Sequence, residues 1–146
     1  MIKHIPGHGL AKKDTHLSLP YINNKLRYLE NNDFYTFRNK KSLFAMTAHI
    51  LFKAIDKKNC ITHSKNGIKY IRNNIGFKNL IISDDISMKA LQYTFNENVK
   101  KAYEAGCNLV LHCNGNINEM NKLATMAPKV NSFIIKKTSE FYKLLS

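Results

Sequence analysis

The chain has 146 residues, and 23 lysines and arginines against 10 aspartates and glutamates give it a formal net charge of +13. This length favours one compact domain, and an apolar content of 44% is enough for a core, which excludes wholesale disorder. No apolar run approaches the roughly 20 residues that span a bilayer, and residues 1–9 carry no stretch of the signal-peptide type. We therefore expect a soluble, cytoplasmic protein without a membrane partner.

The positive charge is almost entirely lysine. Lysine supplies 20 of the 23 basic residues, whereas recognition of phosphates and bases favours the forked guanidinium of arginine. The sequence therefore predicts no specific nucleic-acid partner, and a basic binding protein is kept only as an alternative. The three cysteines contain no Cys-x-x-Cys pair, so we expect reduced, buried thiols rather than a zinc or redox motif.

Four short apolar runs predict strands. They are apolar throughout rather than alternating, which is typical of parallel strands that are buried on both faces. Helical patterns with capping residues fill the intervals, so the chain is predicted to be α/β. The predicted strands are 1–2, 43–48, 80–83 and 109–113. The predicted helices follow the capping residues Asp33, Ser64, Thr94 and Asn116, and a last helix carries Ile134, Thr138, Phe141 and Leu145 on one stripe.

Polar side chains follow each predicted strand. In parallel α/β folds the carboxyl ends of the strands meet at one edge of the sheet, where active sites lie. Any one of these residues alone is an ordinary loop residue, but their recurrence at all four strand ends predicts an active site. They are Lys3 and His4, then His49, then Asp84 and Asp85, and last His112 and Asn114.

Two further features refine this prediction. The spacing of His4, His8 and His16 could suggest a metal site, but no helical pattern covers it and the adjacent lysine would repel a cation, so no metal is predicted. Asp14 lies two residues before His16, and a carboxylate can fix the tautomer of an imidazole and leave its other nitrogen for proton transfer. An ordinary polar pair in a loop is the alternative.

The two acids after the third predicted strand offer a nucleophile or base, and a helix N-cap is the alternative interpretation. Asp84 is nearer the strand and is the better catalytic candidate, whereas Asp85 can cap or orient.

Taken together, these segments resemble glycoside hydrolase family 3, and specifically its bacterial β-N-acetylhexosaminidases, which recycle cell-wall muropeptides. The order and spacing of the motifs agree with the family from about residue 2 to about residue 128. The matching segments are Lys3-His4-Ile5-Pro6-Gly7-His8-Gly9, then 14–20, 46–50, 71–77, 82–90 and 105–111.

The resemblance implies a (β/α)₈ TIM barrel that removes terminal β-linked N-acetylglucosamine with retention of configuration. It implies Asp84 as the nucleophile, His16 as the acid/base and Asp14 as the partner in an Asp-His dyad. Lys3 and His4 would bind sugar hydroxyls, and neither a metal nor an organic cofactor is implied. This is the double displacement of retaining glycosidases, with an imidazole in place of the second carboxylate.

The length departs from the family, since a complete barrel usually needs about 200 residues or more. The family has about as much chain again before the Lys3-His4 motif. The resemblance therefore implies that residues 1–146 are the C-terminal half of the catalytic domain, about its last four βα units. A separate chain could carry the other half, and an inactive remnant of a split gene is the alternative. Because such a half has two open sheet edges, we expect poor stability and little activity alone.

Overall fold

The computed structural model describes residues 1–12 and 18–144. Asp14, His16 and Leu145, three residues of the sequence predictions, lie outside this part of the chain. The strands are β1 (Ile2–Ile5), β2 (Tyr21–Ile22), β3 (Phe44–Thr47), β4 (Leu51–Phe52), β5 (Leu80–Asp85) and β6 (Leu109–Leu111). The main sheet has the order β1-β3-β5-β6 and is parallel throughout, and β2 and β4 form a second, two-stranded parallel sheet. The predicted parallel α/β architecture is confirmed.

Helices flank the main sheet and occupy the predicted intervals. They are α1 (Leu26–Asn31), α2 (Lys65–Tyr70), α3 (Phe95–Ala105), α4 (Ile117–Met126) and α5 (Ser132–Tyr142), with 3₁₀ turns at Phe34–Phe37 and Ile61–His63 and a π-helical turn at Ile71–Ile75. No helix in the described part of the chain is long and apolar enough to cross a membrane.

Local capping chemistry explains where these helices begin and end. Ser64 Oγ accepts a hydrogen bond from the backbone N–H of Gly67 at the start of α2. Thr94 and Glu97 form the predicted capping box of α3. Gly76 ends the α2 segment with φ +83°, a left-handed conformation that glycine adopts without a side-chain penalty.

Three strand ends differ from the sequence predictions by two residues or more, and β3 is one residue shorter than predicted at each end. β1 continues to Ile5, so Lys3 and His4 lie within a strand rather than after it. β5 extends to Asp85 because Asp85 still pairs with Leu111 of β6. β6 ends at Leu111, two residues earlier than predicted.

Two strands of the main sheet carry an irregularity near their carboxyl ends. Between the first and the last paired residues, β1 contains three steps along the chain where β3 contains two. In the same way, β5 contains three steps where β6 contains two. The extra residue falls within Lys3 and His4 in β1 and within Ser83 and Asp84 in β5. Bulges of this kind turn side chains away from the regular alternation, so the backbone re-aims the side chains of interest at this edge.

The core lies between the main sheet and its helices. Strands of a parallel sheet are covered on both faces, which explains why the central strands begin with apolar residues and become polar only at their carboxyl ends. The largest fully buried apolar side chains are Phe34, Phe52, Ile5, Leu29, Ile50, Ile61, Ile71, Leu80, Ile81, Ile86 and Val99.

Arg72 ties together the amino ends of β5 and β6. Its guanidinium donates to the carbonyls of Phe77 and Asn79, and Nη2 donates to Asn108 Oδ1 at 2.8 Å. The same Asn108 oxygen accepts the backbone N–H of Ile81 at 2.9 Å. Burial lowers the pKa of Arg72, which shows that its environment penalises the charge.

Replacing Asn108 with aspartate is expected to raise the free energy of unfolding by about 1 kcal/mol at neutral pH. The carboxylate keeps both accepted hydrogen bonds and places a negative charge beside the Arg72 guanidinium. Since pairing lowers the pKa of a carboxyl group, the gain should be lost as the pH falls through that folded-state value. Urea denaturation of the variant and of wild type, at neutral and at acidic pH, measures this difference in the free energy of unfolding. The control Asn108→Ala should be less stable than wild type, and an aspartate variant no more stable than wild type at neutral pH would contradict the expectation.

Candidate active site

His4 and Asp84 meet at the carboxyl edge of the main sheet. His4 Nε2 lies 3.4 Å from Asp84 Oδ2, and their side chains are 28% and 16% exposed. The two residues come from β1 and β5, which both border β3, so the pair spans the end of that strand. The ring of His8 lies nearby, with its centroid 5.2 Å from that of His4. An imidazole and a carboxylate therefore share one partly exposed site, as predicted from the polar residues at the strand ends.

Burial favours the neutral form of His4. Burial lowers the pKa of His4, with the neighbouring His8 and Lys3 acting in the same direction and the Asp84 carboxylate acting against them. A neutral imidazole can donate one hydrogen bond and accept another, which suits recognition of hydroxyl groups. Lys3 is exposed beside it on β1. The predicted substrate-binding role of Lys3 and His4 stays a prediction.

The two neighbouring aspartates have different surroundings. Asp84 Oδ1 accepts the N–H of the next residue, Asp85, at 2.8 Å, and Oδ2 faces His4. Asp85 Oδ1 accepts the backbone N–H of Ser87 and of Cys113, both at 3.1 Å, and the hydroxyl of Ser87. Asp85 thus holds the turn after β5 against the end of β6. Asp84 is the carboxylate that faces the site, although its role as nucleophile stays a prediction.

His49 lies beneath this edge rather than on it. Its side chain is fully buried, and burial lowers its pKa. Nε2 lies 3.0 Å from the backbone carbonyl of Asp85, and Nδ1 lies 2.7 Å from Thr62 Oγ1. Both ring nitrogens are therefore committed to the protein, so His49 is not positioned to exchange protons with a substrate.

His112 is also directed away from Asp84. Its side chain is 4% exposed, and Nε2 lies 2.8 Å from Glu119 Oε2 on α4. Asn114 Nδ2 donates to the same Glu119 oxygen at 2.8 Å, and these two hydrogen bonds lower the pKa of Glu119. The expectation that His112 and Asn114 join the site stays a prediction, since the contacts seen for both side chains are with Glu119. Their partner Glu119, four residues before Leu123 on the inner face of α4, connects β6 to this helix instead.

Asp33 supports the turn that follows β1, a role that sequence reasoning missed. We expected Asp33 to cap the 3₁₀ turn, but its side chain makes no capping bond there. Instead, Asp33 Oδ1 accepts the N–H of Gly9 at 3.3 Å, and the carboxyl group packs against Gly7. Burial raises the pKa of Asp33. Because these contacts join residues 24 positions apart, no local pattern could have revealed them.

Replacing Gly7 with alanine is expected to cost about 2 kcal/mol of unfolding free energy. An added Cβ at Gly7 would lie 2.4 Å from the Asp33 carboxyl carbon, so the turn or the carboxylate must move. At Gly9 the same addition would meet Asp33 Oδ1 at 3.3 Å, which makes Gly9→Ala a milder control. Thermal and urea denaturation measure the stability of both variants against that of wild type. Equal stability of Gly7→Ala and wild type would show that the turn is not fixed by this contact.

The three cysteines are free thiols, but the expectation that they are buried is wrong for Cys113. Cys60 and Cys107 are buried, and burial raises their pKa values to about 11 and about 12. Cys113 is exposed at the candidate site, where partial burial and the charges of Asp85 and Asp84 raise its pKa. Within residues 1–12 and 18–144, no three histidine, cysteine or acidic side chains are placed to hold a metal ion.

Comparison with known proteins places the chain in a family. A model of the glycosyl hydrolase family 3 N-terminal domain matches residues 1–138, so the chain belongs to this family. The β-hexosaminidase of Neisseria meningitidis is 38% identical over 118 residues, which cover 77% of this chain and 32% of that protein. The resemblance of the motifs is thus confirmed, and the chain spans about a third of the length of the curated relatives it matches.

Solved structures agree with this assignment. NagZ from Neisseria gonorrhoeae in complex with N-trifluoroacetyl-D-glucosamine has a TM-score of 0.79 at 30% identity, over 94% of this chain and 40% of that chain. A family 3 β-N-acetylglucosaminidase from Paenibacillus has a TM-score of 0.81 at 27% identity, over 94% of this chain and 28% of that chain. The α/β arrangement of the chain is therefore the one that family 3 enzymes use in the matched region.

Proposed function

We propose that this chain contributes the catalytic residues of a glycoside hydrolase that removes terminal β-linked N-acetylglucosamine with retention of configuration. The proposal rests on the His4–Asp84 pair, in which one carboxylate oxygen faces an imidazole at the carboxyl edge of a parallel sheet. The names of the relatives support the substrate class, since they are β-hexosaminidases and one solved structure holds a glucosamine derivative.

In this mechanism Asp84 attacks the anomeric carbon and forms a covalent glycosyl-enzyme, while the bond to the leaving oxygen breaks. His16 gives a proton to that oxygen, then takes one from the water that hydrolyses the intermediate, and Asp14 orients the imidazole. Lys3 and His4 hold sugar hydroxyls. Two displacements at the same carbon leave the configuration unchanged. Every step uses protein side chains and water, so the proposal includes no metal or organic cofactor.

We also propose that residues 1–146 form the C-terminal half of the catalytic barrel and that another polypeptide segment completes it. The strands β1 and β6 form the two edges of the main sheet, and each leaves one side of its backbone without a neighbouring strand in the described sheet. Leu109, Val110 and Leu111 of β6 are only partly buried. Apolar edges of this kind favour the addition of further strands.

The proposed physiological substrates are peptidoglycan fragments in the cytoplasm. Such fragments carry N-acetylglucosamine, which agrees with the substrate class named for the relatives.

Complementation tests the proposed function. The 146-residue chain is produced alone and together with the N-terminal portion of a β-hexosaminidase relative that precedes the matched region. A chromogenic β-N-acetylglucosaminide should be hydrolysed by the pair and hardly at all by the chain alone, with the β-anomer released first in an NMR time course. Robust hydrolysis by the chain alone would refute the half-barrel proposal. An inactive pair would favour the remnant alternative, and release of the α-anomer would contradict the double displacement.

A further inference from the structure

A series of buried hydrogen bonds ends at the backbone carbonyl of Asp85, the residue after Asp84. Thr47 Oγ1 lies 2.9 Å from Thr62 Oγ1, which lies 2.7 Å from His49 Nδ1, and His49 Nε2 lies 3.0 Å from the Asp85 carbonyl. Thr47, Thr62 and His49 are each 0% exposed. These three side chains come from the end of β3, the loop after it and the following 3₁₀ turn, and together we call them the buried relay.

Chemistry fixes the direction of every hydrogen in the buried relay. A carbonyl only accepts, so His49 Nε2 carries the hydrogen that it donates to Asp85. Burial favours the neutral ring, which leaves Nδ1 as an acceptor for the Thr62 hydroxyl. The Thr62 oxygen can then accept from Thr47. The Thr62 hydroxyl also lies 3.5 Å from the Ala48 carbonyl, a longer contact than the 2.7 Å to His49 Nδ1. Buried networks whose polar groups are satisfied rigidify the groups they join.

The backbone of Asp85 connects the buried relay to Asp84. Its carbonyl accepts from His49, and its N–H donates to Asp84 Oδ1 at 2.8 Å. The ladder to β6 resumes at this point, because Asp85 pairs with Leu111 and the N–H of Ile86 donates to the Leu111 carbonyl at 2.9 Å. At the bulge, the N–H of Leu111 also donates to the Ser83 hydroxyl at 3.0 Å.

We propose that Thr62 and His49 are positioning residues, which fix the backbone of Asp85 and thereby the orientation of the Asp84 carboxylate. The inference rests on the proposed function of Asp84 as the nucleophile. Neither residue contacts the site directly, so both act through the backbone. The paired register of β3 with β5 ends at Ile82, and the buried relay holds the Asp85 carbonyl beyond that point.

Cys113 provides a local probe that needs no enzymatic activity. Its thiol is exposed, and besides partial burial the charges of Asp85 and Asp84 raise its pKa. Cys60 and Cys107 are buried, with pKa values of about 11 and about 12, so they should not compete for an alkylating reagent. The rate of iodoacetamide alkylation against pH, measured on the full chain, therefore reports how the two carboxylates are held around Cys113.

The test replaces the hydroxyl or the imidazole of the buried relay. Thr62→Val and His49→Phe should increase the alkylation rate of Cys113 at about pH 8 by about twofold or more, because loosened carboxylates raise the thiol pKa less. Thr62→Ser keeps the hydroxyl and should restore the wild-type rate. If Thr62→Val does not fold, Thr47→Val replaces it, with a smaller expected increase. Folded variants that lose stability but keep the wild-type alkylation profile would overturn the proposal, since a merely structural role predicts that result.

Hydrolysis by the complemented enzyme separates this inference from the proposed function. Thr62→Val should lower kcat on the order of 10- to 100-fold with KM little changed, as for a slightly misplaced reactive group, and Thr62→Ser should recover it. The alkylation rate of Cys113 can change as expected in the relay variants while Asp84→Asn leaves hydrolysis intact. In that case the nucleophile assignment fails and the positioning of the Asp85 backbone stands. If the thiol profile does not move while Asp84→Asn abolishes hydrolysis, the positioning inference fails and the proposed function stands.

Discussion

Asp84→Asn is expected to reduce hydrolysis by the complemented enzyme roughly 10⁴- to 10⁶-fold, the size of loss seen when a covalent nucleophile is removed. Asparagine has nearly the same shape and can still accept the N–H of Asp85, so the fold should be preserved. Its amide oxygen is a poor nucleophile and carries no charge to stabilise the developing cation at the anomeric carbon. The expected change is therefore almost entirely in kcat.

Asp85→Asn is the matched control for this experiment. Its carboxylate holds Ser87 and Cys113 rather than facing the site, so the variant should lose stability but far less activity. Equal losses in both variants, or substantial activity in Asp84→Asn, would contradict the assignment of the nucleophile. An NMR titration of His4 supplies a readout without turnover. Since the Asp84 charge raises the pKa of His4, Asp84→Asn should lower that pKa further.

The parts of the fold that follow from neighbouring residues could be predicted from the sequence. A buried parallel strand needs an unbroken apolar run, and the segments around Ala45, Ile81 and Val110 supply it. A helix cap needs a suitable oxygen within three residues, as at Ser64 and Thr94. These elements depend on the local chain alone, which is why their positions agree with the structure to within a few residues.

The parts that depend on distant contacts could not be predicted in this way. β2 and β4 have two residues each, too few for any periodicity, and they exist because each pairs with the other. The bulges that direct His4 and Asp84 towards each other are a property of the register between strands. Asp33 and His49 likewise have partners 24 and 36 positions away, so their supporting roles became visible only in the folded chain.

His63 is another residue whose surroundings are set by distant parts of the chain, and no sequence pattern singles it out. His63 is 8% exposed, and its Nε2 has no hydrogen-bond partner among the described residues. Its ring centroid lies 6.0 Å from that of Tyr93. Burial, followed by the effects of His49 and Lys101, lowers the pKa of His63 from 6.5 to about 4. The folded chain therefore resists a proton that the unfolded chain binds readily.

Acid is accordingly expected to destabilise the chain by roughly 3 kcal/mol through His63 alone. The unfolded histidine takes up its proton near pH 6.5 and the folded one only near pH 4. The unfolded state thus binds more protons between these values, so stability is full above this window and falls as the pH falls through it. His63→Phe keeps an aromatic ring beside Tyr93 and should flatten urea-denaturation stability across the window. Some slope should remain, because burial also lowers the pKa of His49. A variant with the wild-type slope would show that His63 is not the group that titrates.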